Sequence, residues 1–173
     1  MSYWSECRVN DVIIDLLHLE PFEFSCLPRD SAEPATVSVR FNDHCFTKAF
    51  DPRLHVQADC IVTNQSARHE RRVFCEVRYE HSLSLPAIIR ALGNKRVAST
   101  REGNMVRVET QSGDAYAVFF TLRRHNARRA DLFVVSAYPL DKGKRPADTG
   151  EMKFDLALAK ILRGEKAKFP NRG

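Results

Sequence analysis

The sequence predicts an α+β fold: a mostly antiparallel, twisted sheet with at least two helices packed against it, at about residues 84–92 and 151–163. Three observations predict it. Leu85, Ile88, Ile89 and Leu92 recur at i, i+3, i+4 and i+7, the spacing of one helix face. Residues 96–138 hold three successive runs rich in β-branched and aromatic residues, parted by turn signals, which read as a meander. Phe154, Leu158, Ile161 and Leu162 repeat the helical spacing near the end of the chain.

The elements follow in chain order. Residues 1–35 read as an irregular arm with one short helix or strand, because Pro21, Pro28 and Pro34 interrupt the apolar pieces Val12-Ile13-Ile14 and Leu16-Leu17. An α+β core is expected over 36–164. It begins with Thr36–Phe41, whose alternation marks a half-buried strand; Asp51-Pro52 marks a turn, and 59–69 has no clear period. Residues 71–79 alternate as a strand with Val73, Cys75, Val77 and Tyr79 on one face. Pro86 sits in the first turn of the helix 84–92, where its missing N–H costs nothing, and Gly93-Asn94 closes that helix. The meander comprises 96–110, broken near Gly103-Asn104, then a Ser112-Gly113 turn, 115–124, a longer basic loop, and 132–138. Gly164 ends the second helix, and the polar residues 165–173 are expected to fray.

At 173 residues the chain is expected to form a single domain. Its longest apolar runs, such as Ala115 to Phe120, fall far short of a membrane span of ~20 residues, so no membrane association is expected. Residues 1–6 show neither a basic region nor an apolar one, so no signal peptide is expected and the location expected is cytoplasmic. Cys7, Cys26, Cys45, Cys60 and Cys75 are odd in number and widely spaced, which suits small buried hydrophobes better than disulfides or a zinc site. Charge is unevenly placed. Residues 1–60 carry 5 Lys/Arg against 10 Asp/Glu, whereas residues 90–145 carry 12 against 5. The basic block favours RNA or another polyanion as partner, unless the acidic first third folds against it and cancels it. A protein partner bound through that acidic third or a sheet edge is the alternative.

No Walker A loop, dinucleotide fingerprint, zinc-protease helix or G-x-S-x-G elbow is present, so no cofactor and no metal are expected. The order helix then three strands over Glu80 to Leu140, with Thr121-Leu122-Arg123-Arg124-His125 and Ser136-Ala137-Tyr138 on the strands, resembles the barnase–EndoU–colicin–RelE-like ribonucleases. The resemblance implies a small, metal-independent, RNA-cleaving domain of bacterial toxin type.

Metal-free RNA cleavage needs a base, an acid and fixed positive charge for the phosphorane. Period 2 puts Tyr116, Val118, Phe120 and Leu122 on the core face, leaving Thr121 and Arg123 on the other. The same period groups Leu132, Val134, Ser136 and Tyr138 on one face of the next strand. The catalytic candidates are Arg123, whose fork suits phosphate; His125 and His81, since histidine titrates near neutral pH; Ser136 and Tyr138; and Glu80, a general base ahead of the helix. Arg101 in the 100–104 kink, Thr121, and Arg124, Arg128 and Arg129 of the basic loop are the nucleic-acid-binding candidates. Arg123, Ser136 and Tyr138 are expected to converge, although a simple hairpin sets Arg123 opposite Leu132 and Ser136 opposite Phe119.

Overall fold

Tyr116, Val118, Phe120 and Leu122 are buried at every second position of one strand, and the sheet is built around that strand. The computed structural model describes residues 2–111, 113–144, 146 and 148–167. The arm opens with a hairpin, β1 (Arg8–Val9) and β2 (Val12–Ile13), turned by Asn10 and Asp11 at φ 49° and 63°. It then contributes an edge strand, β3 (Phe22–Cys26), to the main sheet. The arm is therefore more ordered than its prolines suggest. Next come β4 (Ala35–Phe41), a small three-stranded sheet of β5 (Thr47–Ala49), β6 (Cys60–Ile61) and β7 (Arg72–Phe74), and helices α1 (Glu76–Ser82) and α2 (Leu85–Arg90). The chain continues through β8 (Arg96–Thr100), β9 (Gly103–Glu109), β10 (Ala115–Asn126), β11 (Arg129–Pro139), β12 (Asp148–Lys153) and α3 (Phe154–Leu162).

The main sheet has seven strands in the order β12-β8-β9-β10-β11-β4-β3. All neighbours are antiparallel except β11 and β4, which run parallel from Arg129↔Thr36 to Val134↔Phe41. A parallel pair requires a long crossover, and residues 42–128 supply it. One face is the core. There the buried side chains of β4, β10 and β11 pack with Leu85 and Ile89 of α2, Phe154 and Leu158 of α3, and Trp4, Leu16 and Leu19 of the arm. The architecture is α+β with three helices and mostly antiparallel strands, as the sequence predicts.

Several local expectations are corrected. Only Arg72–Phe74 of the expected strand 71–79 is extended, and Glu76–Ser82 is helical. Residues 75 and 79 are also i, i+4 neighbours, with Tyr79 N–H donating to Cys75 O at 2.9 Å, so a helix satisfies the same apolar pair while Val77 turns outward at 51% exposure. The C-terminal helix starts at Phe154 rather than 151, because Glu151–Lys153 pair with β8. The basic loop is almost absent: β10 runs to Asn126 and β11 starts at Arg129, leaving only Ala127 and Arg128 between them. The break near Gly103 is a tight turn at Arg101-Glu102. Gly103 has φ +123°, and a Cβ there would lie 2.8 Å from Phe120 O, so glycine admits the close approach of β9 to β10. Ser112 and residues 168–173 of the expected turn and tail lie outside the described residues; Gly113 does occupy a turn, at φ +80°.

Candidate nucleic-acid interface

A β-bulge decides which side chains of β11 meet those of β10. Phe119 pairs with Ser136 but Phe120 with Val134, so Val135 is the extra residue. The expected face Leu132, Val134, Ser136, Tyr138 is thereby split. Leu132 and Val134 point into the core with Ala137, while Phe133, Ser136 and Tyr138 share the opposite, outer face with Phe119, Thr121 and Arg123. The bulge thus brings Ser136 and Tyr138 onto the face of Arg123, but the register keeps them apart. Arg123 pairs with Asp131 and Tyr138 with Ala117, six positions away, which is about 20 Å at ~3.3 Å per residue. Arg123, Ser136 and Tyr138 do not converge on one phosphate.

Tyr138 instead gathers a different set. Its ring stacks on Phe119, centroids 5.4 Å apart, and the Arg78 guanidinium lies 4.9 Å from its centroid. Together with Arg101, Glu102 and Lys144 it lines a cavity of about 730 Å³ at the end of the β8–β9 turn. Burial raises the Tyr138 phenol above its ordinary range; Glu102 raises it further and Arg78 opposes. Of the sequence-predicted residues, Arg101 and Tyr138 are therefore brought together. Ser136 is nearby but buried opposite Phe119, and Thr121 is half-buried opposite Phe133.

Arg78 comes from α1, and the expected strand at that position concealed it. Its Nη1 donates to His44 O at 3.1 Å and to Thr47 O at 2.9 Å. Burial depresses its pKa, and among the described residues no carboxylate pairs with it. One helical turn onward, His81 reaches the core side, where its ring lies 5.3 Å from that of Tyr116. Its Nδ1 donates to Val77 O at 2.7 Å, so the neutral ring keeps its lone pair on Nε2. Glu80 and His81 line a separate cavity of about 650 Å³ with Ser84, Ile88, Val108 and Glu109. The helix thus sends Arg78 toward the outer-face tyrosine Tyr138 and His81 toward the core-face tyrosine Tyr116 of the same β-hairpin.

The remaining arginines sort by partner. Arg124 turns to the core side and donates to Leu162 O at 2.9 Å, closing the end of α3. Arg128 pairs with Glu33 at 2.5 Å, and Arg129 pairs with Glu23 and donates to Ser38 at 3.1 Å. At these two positions the acidic first third does fold against the basic block, so neither arginine is an unpaired phosphate contact. His125 bonds Asp131 at 3.2 Å in the open. Arg40, Arg107 and Arg123 also lie on the outer face, exposed and without an ion pair among the described residues.

Sequence reasoning missed Arg78, Phe119, Glu102 and Lys144. Phe119 carried a usable signal, since it shares the alternation of Thr121 and Arg123. Arg78 carried none, because its partners lie 31 and 34 residues away. All five cysteines are free thiols. Among the described residues no three His, Cys, Asp or Glu side chains are grouped as for a metal ion, and no helix is long and apolar enough to cross a membrane.

The fold and interface define an α+β protein with a helix-covered sheet face and an arginine- and aromatic-bearing opposite face. Residues 6–162 match the YjaZ family, and the chain belongs to it. No curated protein and no solved structure matches the chain.

Proposed function

We propose that the protein binds single-stranded RNA across the outer face of its main sheet, with one nucleotide seated at Tyr138. The observation that carries this reading is the cavity in which Tyr138 meets Arg101, lined also by Lys144 and its ion-pair partner Asp141. Aromatic rings supply sequence-tolerant stacking for bases, and arginines without an ion pair among the described residues, such as Arg101, supply phosphate contacts. Arg107 and Arg123, on the same face and without an ion pair among the described residues, extend the positive strip along β9 and β10. Five free thiols and an RNA ligand together suit the cytoplasm. Fluorescence anisotropy of a labelled single-stranded oligoribonucleotide tests the reading. Binding is expected at low salt, falling linearly on a log–log plot as salt rises. No binding at low salt overturns it.

Cleavage is the second reading, favoured by one observation: a carboxylate, Glu102, and the Tyr138 phenol line the same cavity as Arg101. In a metal-independent reaction Glu102 would take the 2′-hydroxyl proton, Tyr138 would protonate the leaving oxygen, and Arg101 would hold the phosphorane. RNA incubated with the protein and a chelator would then give 2′,3′-cyclic phosphate ends, and Glu102→Gln would abolish them. Intact RNA with retained binding leaves the protein a binder.

A further inference from the structure

A guanidinium half-withdrawn from water normally has a carboxylate beside it, because an unpaired buried charge is expensive. Arg72 follows that rule and is paired with Glu70. Arg78 does not. Its Nη1 is spent on two backbone carbonyls, His44 O and Thr47 O. Its Nε and Nη2 have no hydrogen-bond partner among the described residues, and neither is sealed from solvent. The two carbonyls and the Tyr138 ring hold the fork in place, leaving one edge of a rigid, always charged donor pair presented beside Tyr138.

We infer that the Nε–Nη2 edge of Arg78 is a phosphate-binding site, taking two phosphate oxygens side by side next to Tyr138. The site deepens the RNA reading, because it supplies a backbone contact beside the nucleotide seated in the Tyr138 cavity. The shared chemistry is a phosphate group, whether from an RNA backbone or free in solution. Parallel N–H donors match the spacing of two phosphate oxygens, and charge-assisted bonds of this kind are about twice as strong as neutral ones. A bound anion would also balance the guanidinium, which has no carboxylate partner among the described residues.

The test follows the Nε–H resonance of Arg78 by ¹H–¹⁵N NMR in the full-length protein, assigned by its loss in Arg78→Lys. Inorganic phosphate and a single-stranded oligoribonucleotide are titrated separately. A shift with both ligands, or with RNA alone, supports the site and assigns it to the polymer backbone. A shift with phosphate alone supports the site, assigns it to free phosphate and removes the RNA reading. No shift with either ligand overturns the inference. Arg78→Gln is expected to weaken binding of the responding ligand by at least about tenfold, the loss of one hydrogen-bond pair to a charged group. Arg78→Lys keeps the charge but lacks the fork, and is expected to fall between. Equal affinity for wild type and Arg78→Lys, with matching thermal melts, overturns the two-oxygen geometry.

Discussion

Arg72 and Arg78 donate to the same carbonyl oxygen, Thr47 O, at 3.0 and 2.9 Å. One arginine comes from β7 and the other from the helix that follows it, so the carbonyl ties the small sheet to α1. Arg72 also donates from Nε to Thr47 Oγ1, and that hydroxyl donates to Asp43 O at 2.7 Å. Arg72 thus braces one of the two carbonyls that hold Arg78 beside Tyr138.

Arg72→Ala is expected to destabilise the fold by about 3 kcal/mol, the loss of charge-assisted hydrogen bonds at a buried site. It should also weaken RNA binding at Tyr138, although Arg72 touches neither. Urea denaturation and RNA anisotropy on the same variant check both; unchanged stability would show that the shared carbonyl does not organise the site.

Gly103→Ala should cost roughly 1–3 kcal/mol, because alanine is strained at φ +123° and its Cβ would meet Phe120 O at 2.8 Å. The same turn carries Arg101 and Glu102, so the variant should lower RNA affinity as well. A melt unchanged from wild type would refute the close approach.

Alkaline pH should unfold the protein through two buried groups. Burial raises the Cys45 thiol far above 9.0 and the Tyr116 phenol far above 10.0 in the folded state. A raised folded pKa gives stability that is complete below the unfolded value and lost as pH climbs above it. Stability should thus begin to decline near pH 9 as unfolded Cys45 ionises, and more steeply above pH 10 as Tyr116 joins, at about 1.4 kcal/mol per pH unit per group. The Tyr116 hydroxyl is buried without a hydrogen-bond partner among the described residues. Tyr116→Phe should therefore be neutral or stabilising by about 1 kcal/mol at pH 7 and flatten the decline above pH 10. Urea midpoints measured from pH 7 to 11 decide it, and a destabilised Tyr116→Phe would mean the hydroxyl has a partner.

Arginines should separate by their present pairing. Arg128→Ala with Arg129→Ala should leave the salt dependence of RNA binding nearly unchanged, since Glu33 and Glu23 already hold those side chains. Arg101→Ala, Arg107→Ala and Arg123→Ala should each lower the slope by about one. Salt titrations of the four proteins compare them, and the opposite ranking would move the interface to the hairpin tip.

The parts legible in the sequence are those set by neighbours in the chain. The β10 alternation and the apolar spacing of Leu85 and Ile89 follow from local period, whereas the outer-face position of Tyr138 does not, because period alone groups it with Leu132 and Val134. The bulge at Val135 does not, because it depends on how two strands slide past each other. Residues 75–79 were ambiguous for a physical reason: an apolar pair four apart suits a helix face and a strand face equally. The fate of Arg128 and Arg129 needed Glu33 and Glu23, in the β3–β4 connection and in β3, which reach the β10–β11 hairpin only once β3 and β4 join the sheet.

The parallel pairing of β4 with β11 has a consequence for how the chain reaches this structure. Strands β8 to β11 connect by short turns and can assemble from local contacts, whereas Thr36 must find Arg129 across 93 residues of chain. Closing so long a loop costs entropy before any contact compensates, and topologies rich in such contacts fold slowly. The meander should therefore form early, with one side of β11 unpaired until β4 arrives. Until then the backbone of β11 is an open strand edge, and the intermediate is at its most prone to aggregate.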